Sequence, residues 1–476
     1  MMKVAFIEDH RVKISMGTIL SNFKVNKRKL RQIKELSQAS KNGYKVFIIA
    51  CDFTSLLSKE ASRIIKSFVS DGGICWIMHQ SELNLDLSFL PNRLRNLKLE
   101  NKYIDTLVEY EKEYVCPWIL ERNHAIWNKP NYIDESAFVF WEVNIDGKEC
   151  RTSATHIIHQ KGWDVIAGFA DHEIKIKDKA AIVMESAYGK GLYLWTQIFS
   201  PQIVWSKENS FEKKSYRLFL ENILTYVRDY QENKLLRVNA EVKPWSVMAR
   251  EKVKIKVKIG SETNVKKISM EVLTPSGQRK IVGRPQGLPL RKKGNSCIIK
   301  FQQKKNGAKK TCRFFYTPET GGNYQVKITV TAGNGAEAYA HAFFKVTKEL
   351  TPYRFITHTH FQNEYNTGSL GLIFGQCKRL GIDAVVLSGG SFSHAEKPQY
   401  QNIVNEEIKL IDNPQVRFFP GEEIHPHHQY TRVEGVPTGN PDARRHVTTI
   451  GCYNLYPYNR DYWDPRLLKR FTKMAV

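Results

Sequence analysis

No apolar run in this 476-residue chain approaches the length of a membrane-spanning helix; stretches such as Val46–Ala50 are strand-sized. The start offers no secretory core either, because Glu8-Asp9-His10 interrupts the short apolar run that follows Met-Met-Lys. The eight cysteines (51, 75, 116, 150, 297, 312, 377, 452) form no C-x-x-C pair, which argues against a zinc ribbon or a disulfide-dense module. They suit a reducing compartment, so the expected location is cytoplasmic, without a membrane span. A hydrophobic share of 42% and a charged share of 25% are those of a soluble globular chain, and this length predicts two to four domains.

Acidic residues are scarce in one stretch only. Residues 231–350 hold 25 Lys and Arg against 8 Asp and Glu, a net of +17 out of +24 for the whole chain. Residues 1–230 hold 33 against 28, and residues 351–476 hold 14 against 12. The basic excess belongs to one module.

Residues 1–232 alternate strand and helix signals. Val4–Glu8, Val46–Cys51 and Ile74–His79 read as buried strands. Ser58 is placed to cap a helix with Ala61, Ile64, Ile65 and Phe68 along one stripe, ending at Asp71-Gly72-Gly73. Tyr188-Gly189-Lys190-Gly191 reads as a hairpin turn, and residues 211–230 as an amphipathic helix built on Tyr216, Phe219, Leu220, Ile223, Leu224 and Val227. This order predicts an open α/β sheet of flavodoxin or amidotransferase type.

The stretches "SKEASRIIKSFVSDGGICWIMHQ" and "AIVMESAYGKGLYLWTQIFSPQ" resemble the class I glutamine-amidotransferase-like fold, most closely its ThuA-like branch. An active glutaminase of that family needs a G-x-C-x-G elbow and a late H-x-E pair. Cys75 has Gly73 before it but Ile77 after it, and the segment contains no H-x-E. A thiol inside a strand is not presented as a nucleophile. The expectation is therefore a non-catalytic domain with no glutaminase nucleophile.

Residues 233–349 carry strictly alternating segments, Val253–Ile259 and Tyr324–Val330, separated by turns such as Thr274–Gly277 and Pro318–Gly322. That pattern predicts an all-β sandwich, and "TPETGGNYQVKITVTA" looks like the closing strands of an immunoglobulin-like accessory domain. Its lysines fall on the polar alternates of strands or in loops (Arg291–Lys293, Lys304-Lys305, Lys309-Lys310). The plainer reading is a solvated face, the functional one polyanion or nucleic-acid contact. Along the sequence, aromatic residues do not interleave with these lysines as a single-strand-binding groove requires.

Residues 350–476 hold the sharpest pattern. Phe355–His360 is a short apolar run ending in H-x-H, and residues two apart on a strand share one side, so both imidazoles can reach one ion. A helix follows over Ser369–Leu380, stopped by Gly381; Asp383–Leu387 is the next strand, Val416–Ile424 another, and His446 opens a further one. His and Glu at strand ends in a β-α-β series follow the logic of barrels, whose loops at that end hold ligands.

The motifs "THTH", "RLGIDAVVLSGG", "FFPGEEI" and "RHVTTIG" resemble, in order, those of PHP (polymerase and histidinol phosphatase) metallohydrolases, particularly the carbaryl-hydrolase-like branch. The resemblance implies a partial (β/α) barrel with His358, His360, Glu423 and His446 as ligands of a divalent ion (Zn, Mn or Fe). Where the family has an early aspartate this chain has Asn366-Thr367-Gly368, and where it has T-D-H this chain has Ser388-Gly389-Gly390. The late D-x-H strand is absent from the sequence, so the barrel is expected to be incomplete, as a fragment or as a sheet closed by a partner. His394, Glu422, His425, His427 and His428 are the substitutes at hand, although histidines around Pro426 are also ordinary loop residues.

Three readings stay open. One is a metal-dependent hydrolase of small phosphoester or related ester and amide substrates, weakened or inactive through lost ligands. Another is a catalytically dead multi-module scaffold. A third, polyanion binding through residues 233–349, rests on charge.

Overall fold

The computed structural model describes residues 1–8, 14–50, 59–80, 85–101, 118–138, 142–145, 148–151, 155–158, 160–169, 180–198, 205, 211–244, 246–260, 265–282, 297–300, 310–347, 354–359, 370–390, 416–424 and 447–450. The chain is multidomain: a mixed open α/β sheet, a pair of β-sandwich-like sheets, and a further small sheet.

The first sheet begins with β1 (Met2–Ile7), β2 (Val25–Lys29), β3 (Val46–Ile49) and β4 (Ile74–Met78). To these it adds β5 (Lys98–Asn101), β6 (Trp118–Ile119), β9 (Thr155–Ile158), β10 (Asp164–Phe169), β11 (Ala180–Tyr188) and β12 (Gly191–Thr196); β7 (Glu142–Ile145) and β8 (Lys148–Arg151) pair separately. The order β2-β1-β3-β4-β12 is parallel throughout, and β11, β10 and β6 then continue it antiparallel. The parallel part has the strand order of doubly wound sheets.

Both faces of this sheet are covered, which is why its central strands read as unbroken apolar runs. Val4, Phe6, Val46, Ile48, Ile74 and Trp76 pack with helices α1 (Met16–Leu20), α4 (Ala125–Asn128) and α5 (Phe211–Gln231). Ala5, Ile7, Phe47, Ile49, Cys75 and Ile77 pack with α2 (Glu35–Lys41) and α3 (Lys59–Ser70). The six α5 residues expected on one stripe are all buried, as are Ala61, Ile65 and Phe68 of α3. Gly72 and Gly73 end α3, Gly72 at a positive φ of 103°. At Gly191 a Cβ would meet the carbonyl oxygens of Gly73 and Val69 at 2.1 Å, so the β11–β12 turn can press onto α3 only with glycine there. Ser58, the expected helix cap, lies outside the described residues.

In the sandwich, β13 (Val238–Lys243), β15 (Val253–Ile259), β18 (Cys297–Lys300) and β19 (Lys310–Tyr316) form one sheet, in the order β13-β15-β19-β18. The other contains β14 (Ser246–Met248), β16 (Val265–Leu273), β17 (Arg279–Val282), β20 (Gly322–Ala332) and β21 (Glu337–Thr347), in the order β14-β21-β20-β16-β17. Alternation sends Val253, Ile255, Val257 and Ile259 inward against Tyr324, Val326, Ile328 and Val330, in one shared core.

The last sheet runs β22 (Phe355–Thr359), β23 (Ala384–Gly390), β24 (Arg417–Ile424), β25 (Val447–Ile450), with α6 (Leu370–Leu380) between its first two strands. Gly381 closes α6 at φ +68°, as its sequence position implies. The first three strands are parallel, whereas β25 returns antiparallel to β24. Among the described residues the expected barrel is an open four-stranded sheet.

The segment 122–138 and strand β21 join the three parts. The guanidinium of Arg122 donates twice to Glu135, at 2.8 and 3.0 Å, and lies over the Phe374 ring of α6. Lys378 of α6 pairs with the buried Asp134. Along β21, His341 and Phe343 pack on Tyr132, with ring centroids 4.8 and 5.2 Å apart, and Lys345 bonds Asp383 at 2.7 Å.

Candidate functional site

Of the residues expected to hold a metal, positions 358 and 423 lie on described strands of the last sheet, near the carboxyl ends of β22 and β24, and the strand register states which face each takes. Ile356 pairs with Val385, but Thr359 pairs with Leu387, so β22 carries one extra residue: Thr357 and His358 together oppose Val386. Ile356, Val385, Leu387, Val416 and Phe418 belong to the cluster that packs on Ile373, Phe374 and Cys377 of α6. Alternation from Leu387 puts position 358 on the opposite face, away from the helix. On β24, Leu387 pairs with Pro420 and Gly390 with Glu423, so position 423 also falls on the face away from α6, and position 422 on the helix face. The bulge brings His358 and Glu423 into phase; without it they would be on opposite faces.

The two positions are not adjacent. Glu423 stands three residue pairs beyond the Thr359–Leu387–Pro420 row, whereas His358 stands one before it and two strands away, so the two are roughly 13 Å apart along the sheet and roughly 10 Å across it by strand rise and spacing. On the intervening strand, Gly389 and Gly390 pair with Glu422 and Glu423. Val447, the residue after His446, pairs with Ile424 beside Glu423. His360, His394, His425, His427, His428 and His446 lie outside the described residues. Among the described residues no group of three or more His, Cys, Asp or Glu side chains gathers as a metal site.

The thiol of Cys75 is fully buried inside β4, and that burial pushes its pKa far above the ordinary thiol value. It has neither the exposure nor the thiolate character of a nucleophile. At the carboxyl ends of β4 and β12, Gln80 and Gln197 close the gap reciprocally: the Gln80 amide donates to Gln197 Oε1 at 3.0 Å, and Gln197 Nε2 donates to the Gln80 carbonyl at 2.6 Å.

A site not anticipated from the sequence lies between the first sheet and the sandwich, a cavity of about 960 Å³. Glu185 of β11, His124 at the N-cap of α4, and Tyr226 of α5 meet in its wall. The Ile126 amide donates to His124 Nδ1 at 3.3 Å, which leaves the proton on Nε2, 3.3 Å from Glu185 Oε1. Tyr226 donates to Glu185 Oε2 at 2.5 Å. Burial by itself raises the Glu185 pKa, but the hydrogen bonds from His124 and Tyr226 outweigh it and hold the carboxyl below its usual range. Burial, then the Glu185 charge, pushes the Tyr226 phenol well above its ordinary value. The trio is a fixed anion with two committed donors and no nucleophile, the make-up of a binding wall. Positions 124, 185 and 226 have no motif spacing, so nothing in the sequence pointed to them.

The sandwich presents two outer faces with different fates. Outward residues of β21 meet the 128–132 segment, where Asn128 bonds His341 at 3.2 Å and Tyr132 packs on His341 and Phe343. The outer face of β13-β15-β19 carries Lys254 and Lys258 exposed, with Lys256 half-buried. Phe315 stands among these cations, paired with Lys254, and Lys252 lies over its ring at 4.5 Å. One aromatic, Phe315, thus stands among lysines of the neighbouring strand, a placement that reading along one strand misses.

No family model matches the chain, and no curated protein matches it. Partial likenesses to solved structures include the PKD domain of an M14-like peptidase from a Thermoplasmatales archaeon (10% identity, 23% of this chain and 93% of that one, TM-score 0.16). They also include a superoxide reductase from Ignicoccus hospitalis (14%, 23% and 80%, TM-score 0.17), and CopC from Methylosinus trichosporium (17%, 24% and 95%, TM-score 0.16). At these values none bears on the activity of this chain.

Proposed function

We propose that residues 350–476 form a PHP-type metal-dependent hydrolase domain acting on small phosphoester or related ester and amide substrates. In this reading, residues 1–232 are a non-catalytic ThuA-like, amidotransferase-like domain, and residues 233–349 an immunoglobulin-like sandwich. One observation carries the proposal: the β22 bulge puts position 358 on the same sheet face as position 423, at the carboxyl edge of three parallel strands. His358, His360, Glu423 and His446 would hold a divalent ion (Zn, Mn or Fe), two or three imidazoles with a carboxylate being a donor set suited to such ions. When bound, such an ion polarises a phosphoryl or carbonyl oxygen and acidifies water. The chain's own part is to hold donors on one face and to leave room over Gly389 and Gly390 for a substrate.

Ser388-Gly389-Gly390 offers none of the ligands the family keeps there, so turnover is expected to be slow. Hydrolysis of a generic aryl phosphoester by the full chain with added Mn²⁺ or Zn²⁺ tests the proposal. Activity that depends on the metal and is lost in Glu423→Gln supports it; equal rates in both proteins refute it. The scaffold reading is favoured by a different observation, the ion pairs Lys378–Asp134 and Lys345–Asp383 that tie the last sheet to the other two parts. It predicts no metal-dependent turnover at all.

A further inference from the structure

We propose that the outer face of the β13-β15-β19 sheet binds single-stranded nucleic acid, its phosphates on the lysine rows and a base on Phe315. Strand register arranges this face as a grid. Lys243, Lys254 and Phe315 form one row, Glu241, Lys256 and Arg313 the next, and Asn239, Lys258 and Thr311 the third. Five cations therefore surround one carboxylate. Glu241 is itself engaged by Lys243 at 2.7 Å and Lys258 at 3.8 Å, so it does little to repel an anion.

The sandwich's other outer face is engaged by the 128–132 segment through β21, whereas Lys254, Lys258 and Arg313 here are exposed. Successive lysines on β15 are two residues apart, roughly 6.8 Å, a spacing that suits consecutive phosphates of an extended strand. Phe315 distinguishes this surface from a plain solvated face. A half-buried ring beside Lys252 and Lys254 gives a base that displaces the Lys252 ammonium a stacking partner while its phosphate is neutralised, the combination that single-strand binders use. Duplex nucleic acid, heparin-like polymers and anionic membranes use the charge but have no call on the ring.

The test uses the full-length protein and fluorescence anisotropy with labelled oligothymidylate, against a duplex of equal length, heparin and phosphatidylserine vesicles. The oligonucleotide is expected to bind tightest. With about four phosphates neutralised, its log K should fall with log salt at a slope of about −3. Phe315→Ala should weaken the oligonucleotide at least about fivefold and leave heparin unchanged, since base stacking on one ring is worth that much. Phe315→Tyr should restore binding. Glu241→Gln, which removes the sole carboxylate of the grid, should tighten it, a gain that misfolding cannot mimic. Tighter binding to heparin, duplex or vesicles than to the oligonucleotide would overturn the proposal, as would indifference to both Phe315→Ala and Glu241→Gln.

Discussion

Tyr226 of α5 donates its phenolic proton to Glu185 of β11 at 2.5 Å, inside the wall of the cavity that separates the first sheet from the sandwich. Tyr226→Phe leaves a buried carboxylate oxygen short of one donor, a loss of about 1–3 kcal/mol in unfolding free energy. The folded Glu185 pKa is depressed, so its contribution is present above the ordinary glutamate value of 4.5 and is lost as pH falls through the lower folded value. Urea unfolding followed at pH 7 and again below pH 4 should show the gap between wild type and Tyr226→Phe narrowing in acid. An unchanged gap would contradict the assignment of Glu185 as the responsible anion.

The Lys378–Asp134 pair holds α6 against the 132–138 segment, with both side chains largely buried. Burial raises the Asp134 pKa, but the Lys378 ammonium outweighs that and holds the carboxyl below its usual value. Removing one partner of such a pair costs about 3–5 kcal/mol, whereas replacing both costs much less. Asp134→Asn or Lys378→Met alone should therefore release the last sheet to proteolysis at lower urea than in wild type. The double variant should recover most of the loss, and a double variant as fragile as the worse single one would contradict a direct pair.

His341 packs between Tyr132 and Asn128, and burial, aided by the Lys327 charge, lowers its pKa to about 3. A histidine kept neutral in the fold but protonated in the unfolded chain stabilises above about pH 6.5, and that stability is lost as pH falls from there towards 3. The contact between β21 and the first domain should thus loosen between pH 6.5 and 4.5, above the window in which Glu185 acts. His341→Gln should flatten the pH dependence of unfolding in that interval. A variant with the wild-type slope would place the titrating group elsewhere.

Much of the architecture was legible because it rests on local periodicity. The α5 stripe from Tyr216 to Val227, the Gly189-Lys190 turn and the alternation of Val253–Ile259 each follow from side-chain spacing alone. What stayed hidden depends on register or on distant chain segments. The single extra residue in β22 cannot be read from "FITHT", yet it decides that Glu423, not Glu422, shares a face with His358. Phe315 meets Lys254 only through pairing of β15 with β19. The Glu185, His124 and Tyr226 trio joins three elements more than forty residues apart in sequence. The antiparallel return of β25 likewise has no sequence signature, since a strand's direction is set by the length and path of what precedes it.

The central claim, one divalent ion held at the carboxyl edge of the last sheet, is tested most directly by metal analysis of the purified full-length protein beside its His358→Ala/His360→Ala variant. The account predicts close to one equivalent of Zn, Mn or Fe in the wild type and a loss of most of it in the variant. Equal metal content in the two proteins would contradict it.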